Sequence, residues 1–249
     1  MSKVVLVHGA FNELWGPNEL KARWMPALRD GLWHHGASID EADVGVCFYG
    51  DLFRRDPSAA DAAAFEKSRA GAEEMLSKLG GGFDLDFVSQ AAGEAAFERT
   101  VDMVATMAHV PDLLPRIWAR IDSVITADTR VLVGHSLGSV VSYGALRRNP
   151  GWNVHTFVTL GSPLGQSMVR DQLSPPVTLG DGWPGSVQRW VNVAAIGDKA
   201  ASVSRLAEVY DERVEDVLVD NGHRAHDPEP YLNAAATGAA IAAGLAGTA

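Results

Sequence analysis

Gly134-His135-Ser136-Leu137-Gly138 constrains the fold of this chain more than any other stretch. It reads G-x-S-x-G. An apolar run, Arg130-Val131-Leu132-Val133, leads into it and an unbroken helical pattern follows, so the serine falls on a strand–turn–helix junction, the setting of a nucleophile elbow. Both glycines have a steric reason. The serine backbone is strained in such a turn, and side chains at 134 and 138 would collide with the neighbouring strand and helix. The turn lifts the Ser136 hydroxyl clear of the sheet and leaves backbone N–H groups at a helix N-terminus, where they can face developing negative charge.

Strand and helix patterns alternate through the rest of the chain. Lys3-Val4-Val5-Leu6-Val7 reads as a buried strand and runs into His8-Gly9-Ala10-Phe11. A helix is expected from about Glu19 to His34, with Trp24, Leu28 and Leu32 four residues apart; Pro26 makes it start late or kink. Further strands are expected near 44–49, 156–160, 190–196 and 214–219. Asn149-Pro150-Gly151 stops the helix after the elbow near Arg148, and the Ala-rich tail from Ala234 reads as a final surface-packed helix. Such alternation argues for an α/β fold with a mostly parallel sheet and helices on both faces. Residues 51–112 break the rhythm with helical stretches near 59–79 and 93–108 around Gly80-Gly81-Gly82. They read as a helical cap or lid inserted into a single domain, 1–249. Apolar residues such as Phe83, Phe87, Phe97, Met103 and Met107 would line an apolar pocket there. Trp183, in the irregular stretch from Ser174 to Gly185, is a second candidate wall.

A serine hydroxyl is a weak nucleophile at neutral pH and needs a base within hydrogen-bond reach. Histidine titrates near neutrality, so it can take that proton and return it to a leaving group, while a carboxylate fixes its tautomer. Asp198 stands just past the 190–196 strand, at the sheet end where chemistry gathers in parallel α/β folds. The loop Asp220 to Pro228 holds His223 and His226; His226 is preferred as base because it lies closer to the start of the last helix, from Glu229 onward, with His223 the alternative. Asp220 and Asp227 are the other acids; Asp227 adjoins His226, which faces it poorly, and Asp220 suits a turn cap with Asn221-Gly222. The backbone N–H groups of Leu137 and Ala10 are the candidate oxyanion donors, with Phe11 standing in for Ala10. Phe11 and His135 are candidates to touch substrate, and His8 is expected to bond its own loop.

The stretches Val133-Gly134-His135-Ser136-Leu137-Gly138-Ser139-Val140-Val141 and Phe157-Val158-Thr159-Leu160-Gly161-Ser162-Pro163-Leu164 resemble lipase- and phospholipase-like serine hydrolases of the α/β-hydrolase superfamily. The resemblance covers roughly 1–48 and 120–249. It implies an α/β-hydrolase fold, Ser136 as nucleophile, Asp198 as acid and His226 as base, and an ester, thioester or lipid-like ester as substrate. The chain departs from the family pattern in carrying two histidines where lipase-like members have one.

Composition limits the other classes. A formal charge of −10 without a basic run disfavours nucleic acid and anionic membranes. Cys47 is the single cysteine, in an apolar strand run, so no internal disulfide forms. No His-Glu-x-x-His, Cys-x-x-Cys or G-x-x-x-x-G-K pattern supports zinc or a bound nucleotide, and no cofactor or metal is expected. No apolar run approaches the ~20 residues of a membrane span, and a strand begins at once after Met1-Ser2-Lys3, so cytoplasmic residence is the expectation. The alternatives are an amidase or acyltransferase using the same three residues, or a hydrolase-like fold that binds a ligand without turnover.

Overall fold

Six strands, all parallel, carry the fold in the order β2-β1-β3-β4-β5-β6: β1 (Val4–Val7), β2 (Val44–Cys47), β3 (Val131–His135), β4 (Thr156–Leu160), β5 (Arg189–Ala195) and β6 (Glu215–Val219). The structure, a computed structural model, describes residues 2–54, 59–79, 110, 112–171, 173, 177 and 179–247. The expected Gly80–Gly82 joint, the helical stretch near 93–108 and the apolar residues from Phe83 to Met107 lie outside the described residues, as do Ser174-Pro175-Pro176.

Helices cover both faces, which is why the inner strands bury apolar residues on both sides, with few polar ones such as Thr156, Thr159 and Asn192 among them. Val4 and Leu6 of β1, Val131 and Val133 of β3 and Val191 and Val193 of β5 point to one face. They pack against α1 (Pro17–Trp33), α6 (Pro228–Asn233) and α7 (Ala235–Ala246). Val5, Val7, Leu132, Phe157 and Trp190 point to the other face, under α3 (Leu113–Val124) and α4 (Leu137–Arg148). Of the remaining helices, α2 (Ala59–Leu79) lies in the 51–112 stretch and α5 (Ser167–Asp171) follows β4. Trp183 is half-buried against Trp190, ring centroids 6.1 Å apart, with the Arg213 guanidinium over its indole. No helix among the described residues is long and apolar enough to cross a membrane.

Two elements differ from their sequence pattern. The first helix begins at Pro17, where a missing N–H costs nothing, and runs on through Pro26. The Ala-rich tail forms the expected final helix, but with a closer contact than its pattern indicates. A Cβ on Gly31 would run into the Leu232 carbonyl, and one on Gly238 into the Gly31 carbonyl, so α1 meets α6 and α7 backbone to backbone. Gly244 sits equally close to Thr156 and Val131, with 2.7 Å to each from where a Cβ would stand. Small residues are there because the helices approach closely, and Ala240 and Ile241 are buried with them.

The strand order reverses between β1 and β3. From β1 the chain steps outward to β2, and from β3 it steps the other way to β4, β5 and β6. The C-terminal ends of β1 and β3 therefore form the switch point of the sheet, the place where ligands bind in open parallel sheets.

The close approaches make a paired prediction. Gly238→Ala should lose about 1–3 kcal/mol of unfolding free energy by overpacking. Gly71→Ala should gain about 0.5–1 kcal/mol through helix propensity, because a Cβ there, in the middle of α2, meets nothing within 4 Å. Urea denaturation of the two variants measures both signs.

Candidate active site

Ser136 is the first residue beyond β3, at the point where the strand order reverses. Its φ of 53° and ψ of −128° lie in a region that L residues rarely occupy, at a cost of about 1–3 kcal/mol. Its neighbours hold it there. The Ser136 N–H donates to the Leu160 carbonyl at 2.9 Å, and the Ser136 carbonyl accepts from the Ser139 N–H at 2.9 Å and the Ser139 hydroxyl at 2.6 Å. A carbonyl can only accept, so the Ser139 proton is committed to it. The Ser162 hydroxyl, 2.6 Å away, must then donate to Ser139 Oγ, and Ser162 Oγ accepts the Leu164 N–H. A buried chain of hydroxyls thus ties the segment after β4 to the carbonyl of the strained serine.

The glycines of the motif are needed for space. A Cβ on Gly134 would stand 2.6 Å from Ser139 Cα, and one on Gly138 would run into the Val7 carbonyl at the end of β1. From the other side, a Cβ on Gly9 would stand 2.8 Å from Ser136 Cβ. The loop after β1 is pressed against the elbow, which brings the Gly9–Ala10 peptide beside Ser136. Asn12 Nδ2 pins that loop by donating to the carbonyls of Gly9, at 3.1 Å, and Ala10, at 2.9 Å. The N–H groups of Ala10 and Leu137 have no hydrogen-bond partner among the described residues. Phe11, next in the loop, is half-buried with a φ of 65°.

His226 reaches Ser136 from the loop before α6, its Nε2 3.0 Å from Ser136 Oγ. Its Nδ1 lies 2.9 and 3.0 Å from the two carboxylate oxygens of Asp198. Since the carboxylate accepts, Nδ1 carries the proton, and Nε2 of the neutral ring is left to accept from the serine hydroxyl. Asp198 follows the turn Ile196-Gly197 beyond β5, where Gly197 takes a φ of 78°. Burial alone would push the Asp198 carboxyl up, but the hydrogen bonds and charge of His226 and the hydroxyl of Tyr231 outweigh it and hold it below the usual carboxylate range.

Three expected alternatives are placed elsewhere. His223 is exposed on the turn Gly222–Arg224. Asp220 caps that turn by accepting the Gly222 N–H, and Asp227 pairs with Arg224 at 2.6 Å. His8 bonds its own surroundings: Nδ1 donates to the Gly9 carbonyl, Nε2 accepts the Tyr49 N–H, and burial lowers its pKa to about 4. His135 is buried, and its Nε2–H donates to the backbone carbonyl of His226 at 2.8 Å. Burial first, then the nearby His226, lowers its pKa to about 3. Among the described residues no group of three or more His, Cys, Asp or Glu side chains is placed to hold a metal ion.

Two residues at this site had no role in the sequence reading. Tyr231 of α6 bonds Asp198 directly. Gly161, with a φ of 54°, lies beside the bonded Asp198 and His226; a Cβ there would stand 2.7 Å from Asp198 Oδ2 and 3.3 Å from His226 Nδ1. Gly161 was within reach of sequence reasoning, as a glycine directly after a strand. Tyr231 was not, since an aromatic on an amphipathic helix reads as core.

His8 and His135 dictate an acid response. Their folded pKa values lie below the unfolded value of about 6.5, so the unfolded chain binds the extra protons and stability falls as pH drops from about 6.5 toward 4. Each contributes a limiting slope of about 1.4 kcal/mol per pH unit. His135→Asn should remove one proton from that slope in urea unfolding between pH 7 and 4.5; an unchanged slope would show that His135 is charged in the folded protein.

No family model, curated protein or solved structure matches the chain.

Proposed function

We propose that this protein is a serine hydrolase with an α/β-hydrolase fold, cleaving a carboxylic ester, thioester or lipid-like ester through an acyl-enzyme on Ser136. One observation carries the reading: an unbroken string of hydrogen bonds runs from Ser136 Oγ through His226 to the buried Asp198, at the point where the strand order reverses. The order Ser, Asp, His along the chain, with the serine on a strained strand-to-helix turn, is that of the α/β-hydrolases.

The chemistry follows from which atoms hold protons. Ser136 Oγ attacks the acyl carbon as His226 Nε2 takes its proton, and Asp198 stabilises the imidazolium through Nδ1–H. The carbonyl oxygen becomes an oxyanion at the Leu137 and Ala10 N–H groups. Collapse expels the leaving alcohol or thiol, which takes its proton from His226 Nε2. Water then attacks the acyl-enzyme with the same histidine as base, releasing the acid and restoring Ser136. The strained turn serves this because it presents the hydroxyl and the following N–H to one point, and the reaction requires no reorganisation of either.

A fluorophosphonate probe should label the native protein on Ser136, and Ser136→Ala should abolish labelling and lower ester turnover by about 10⁴-fold or more with the fold intact. Asp198→Asn should cost roughly 10³- to 10⁴-fold in kcat with little change in KM. A panel of p-nitrophenyl esters of rising acyl length measures the rates. A folded native protein that neither labels nor turns over any ester would leave ligand binding without catalysis as the reading.

A further inference from the structure

We propose that Tyr231 is a positioning residue for the candidate acid, holding the Asp198 carboxylate in its hydrogen-bonded orientation and sharing its negative charge with His226. The inference rests on the hydrolase reading, and it deepens that reading by adding a fourth side chain to the site.

The direction of every bond is determined by chemistry. Tyr231 Oη lies 2.8 Å from the Ala195 backbone nitrogen and 2.6 Å from Asp198 Oδ2. An N–H can only donate, so the phenol oxygen accepts from Ala195. The phenol's single proton is therefore free only for the carboxylate. The Ala195 N–H belongs to the last residue of β5, three residues before Asp198, so Tyr231 braces the acid against the strand that delivers it. The other carboxylate oxygen is held as well, with Asp198 Oδ1 accepting the Ala200 N–H at 2.9 Å. Tyr231 is fully buried, and Gly161 provides the space beside it, since a Cβ there would stand 3.0 Å from Tyr231 Cε2. Burial, reinforced by the neighbouring carboxylate, pushes the phenol's ionisation up, so it remains a donor.

Asp198 is faced by His226 from the loop before α6, by Tyr231 from α6 and by His135 from the end of β3. On the His226 loop, Arg224 pairs with Asp227 and Glu229 in exposed ion pairs. A hydrogen bond to a charged group is among the stronger ones in a protein. Here the phenol competes with the imidazole for the same negative charge. Without it, the carboxylate would pull harder on the imidazolium and would also lose a fixed rotamer.

The test is Tyr231→Phe, which keeps the ring and removes only the hydroxyl. Ester turnover should fall about tenfold in kcat with KM within twofold, and the acid limb of the kcat/KM profile should move up by about half a pH unit. In an Asp198→Asn background the same substitution should change nothing further, since the tyrosine acts through the carboxylate. Where no turnover is measurable even in the native protein, the hydrolase reading fails but the proposal is still decided by NMR. The low-field Nδ1 proton of His226 should shift or vanish in Tyr231→Phe. Should Tyr231→Phe fail to fold, 3-fluorotyrosine at 231, a stronger donor of nearly the same size, should move the acid limb and the Nδ1 resonance in the opposite direction. An unchanged acid limb and Nδ1 resonance in folded protein would overturn the proposal and leave Tyr231 as packing alone.

Discussion

The backbone at Ser136 is the constraint on which the site depends. A φ of 53° with a ψ of −128° is a conformation that an L residue keeps only when its surroundings leave no alternative. Here the surroundings come from two neighbouring strands, β4 and β1. β4 supplies the Leu160 carbonyl to the serine N–H, the segment after β4 supplies Ser162 behind Ser139, and the end of β1 presses its carbonyls against Gly138. Each of these groups is buried, so its hydrogen bond meets no competition from water, and its loss would leave an unsatisfied polar atom in the interior. The strain of one residue is thus offset by groups that serve the sheet as well.

The same crowding shapes the rest of the site. Parallel pairing between β3, β4 and β5 brings their C-terminal ends to one edge, so Ser136, Gly161 and Asp198 lie close together although each follows a different strand. His226 and Tyr231 then arrive on a single segment and bond the same carboxylate from its two sides. His135 anchors that segment from below through the His226 carbonyl. Burial keeps His135 neutral, so it places no second positive charge beside the His226 ring.

Much of this was legible in the sequence, and the reasons are local. The strands around the elbow are apolar on both faces, the glycines flank a serine, and a helix pattern starts at once; each cue acts within a few residues. The boundaries failed where local cues conflict with packing. Pro26 reads as a breaker but is tolerated inside α1, and the Ala-rich tail reads as a surface-packed helix although its small residues mark a backbone-to-backbone contact with α1. The apolar residues expected to line a cap lie outside the described residues.

From the chain of residue types alone came the strained serine, the alternation that makes a parallel sheet, and two histidines and three aspartates from which a base and an acid could be drawn. Periodicity and turn chemistry encode which way a side chain faces its own neighbours, and no more than that. Which histidine meets the serine was a matter of the fold: His226 lies ninety positions along the chain from Ser136, and only the convergence of strand ends brings its ring within 3.0 Å while His223, three residues earlier, points to solvent. Tyr231 and Gly161 belong to the same category. A phenol becomes a donor to the acid, and a missing Cβ becomes room for it, only where β4, β5 and α6 meet.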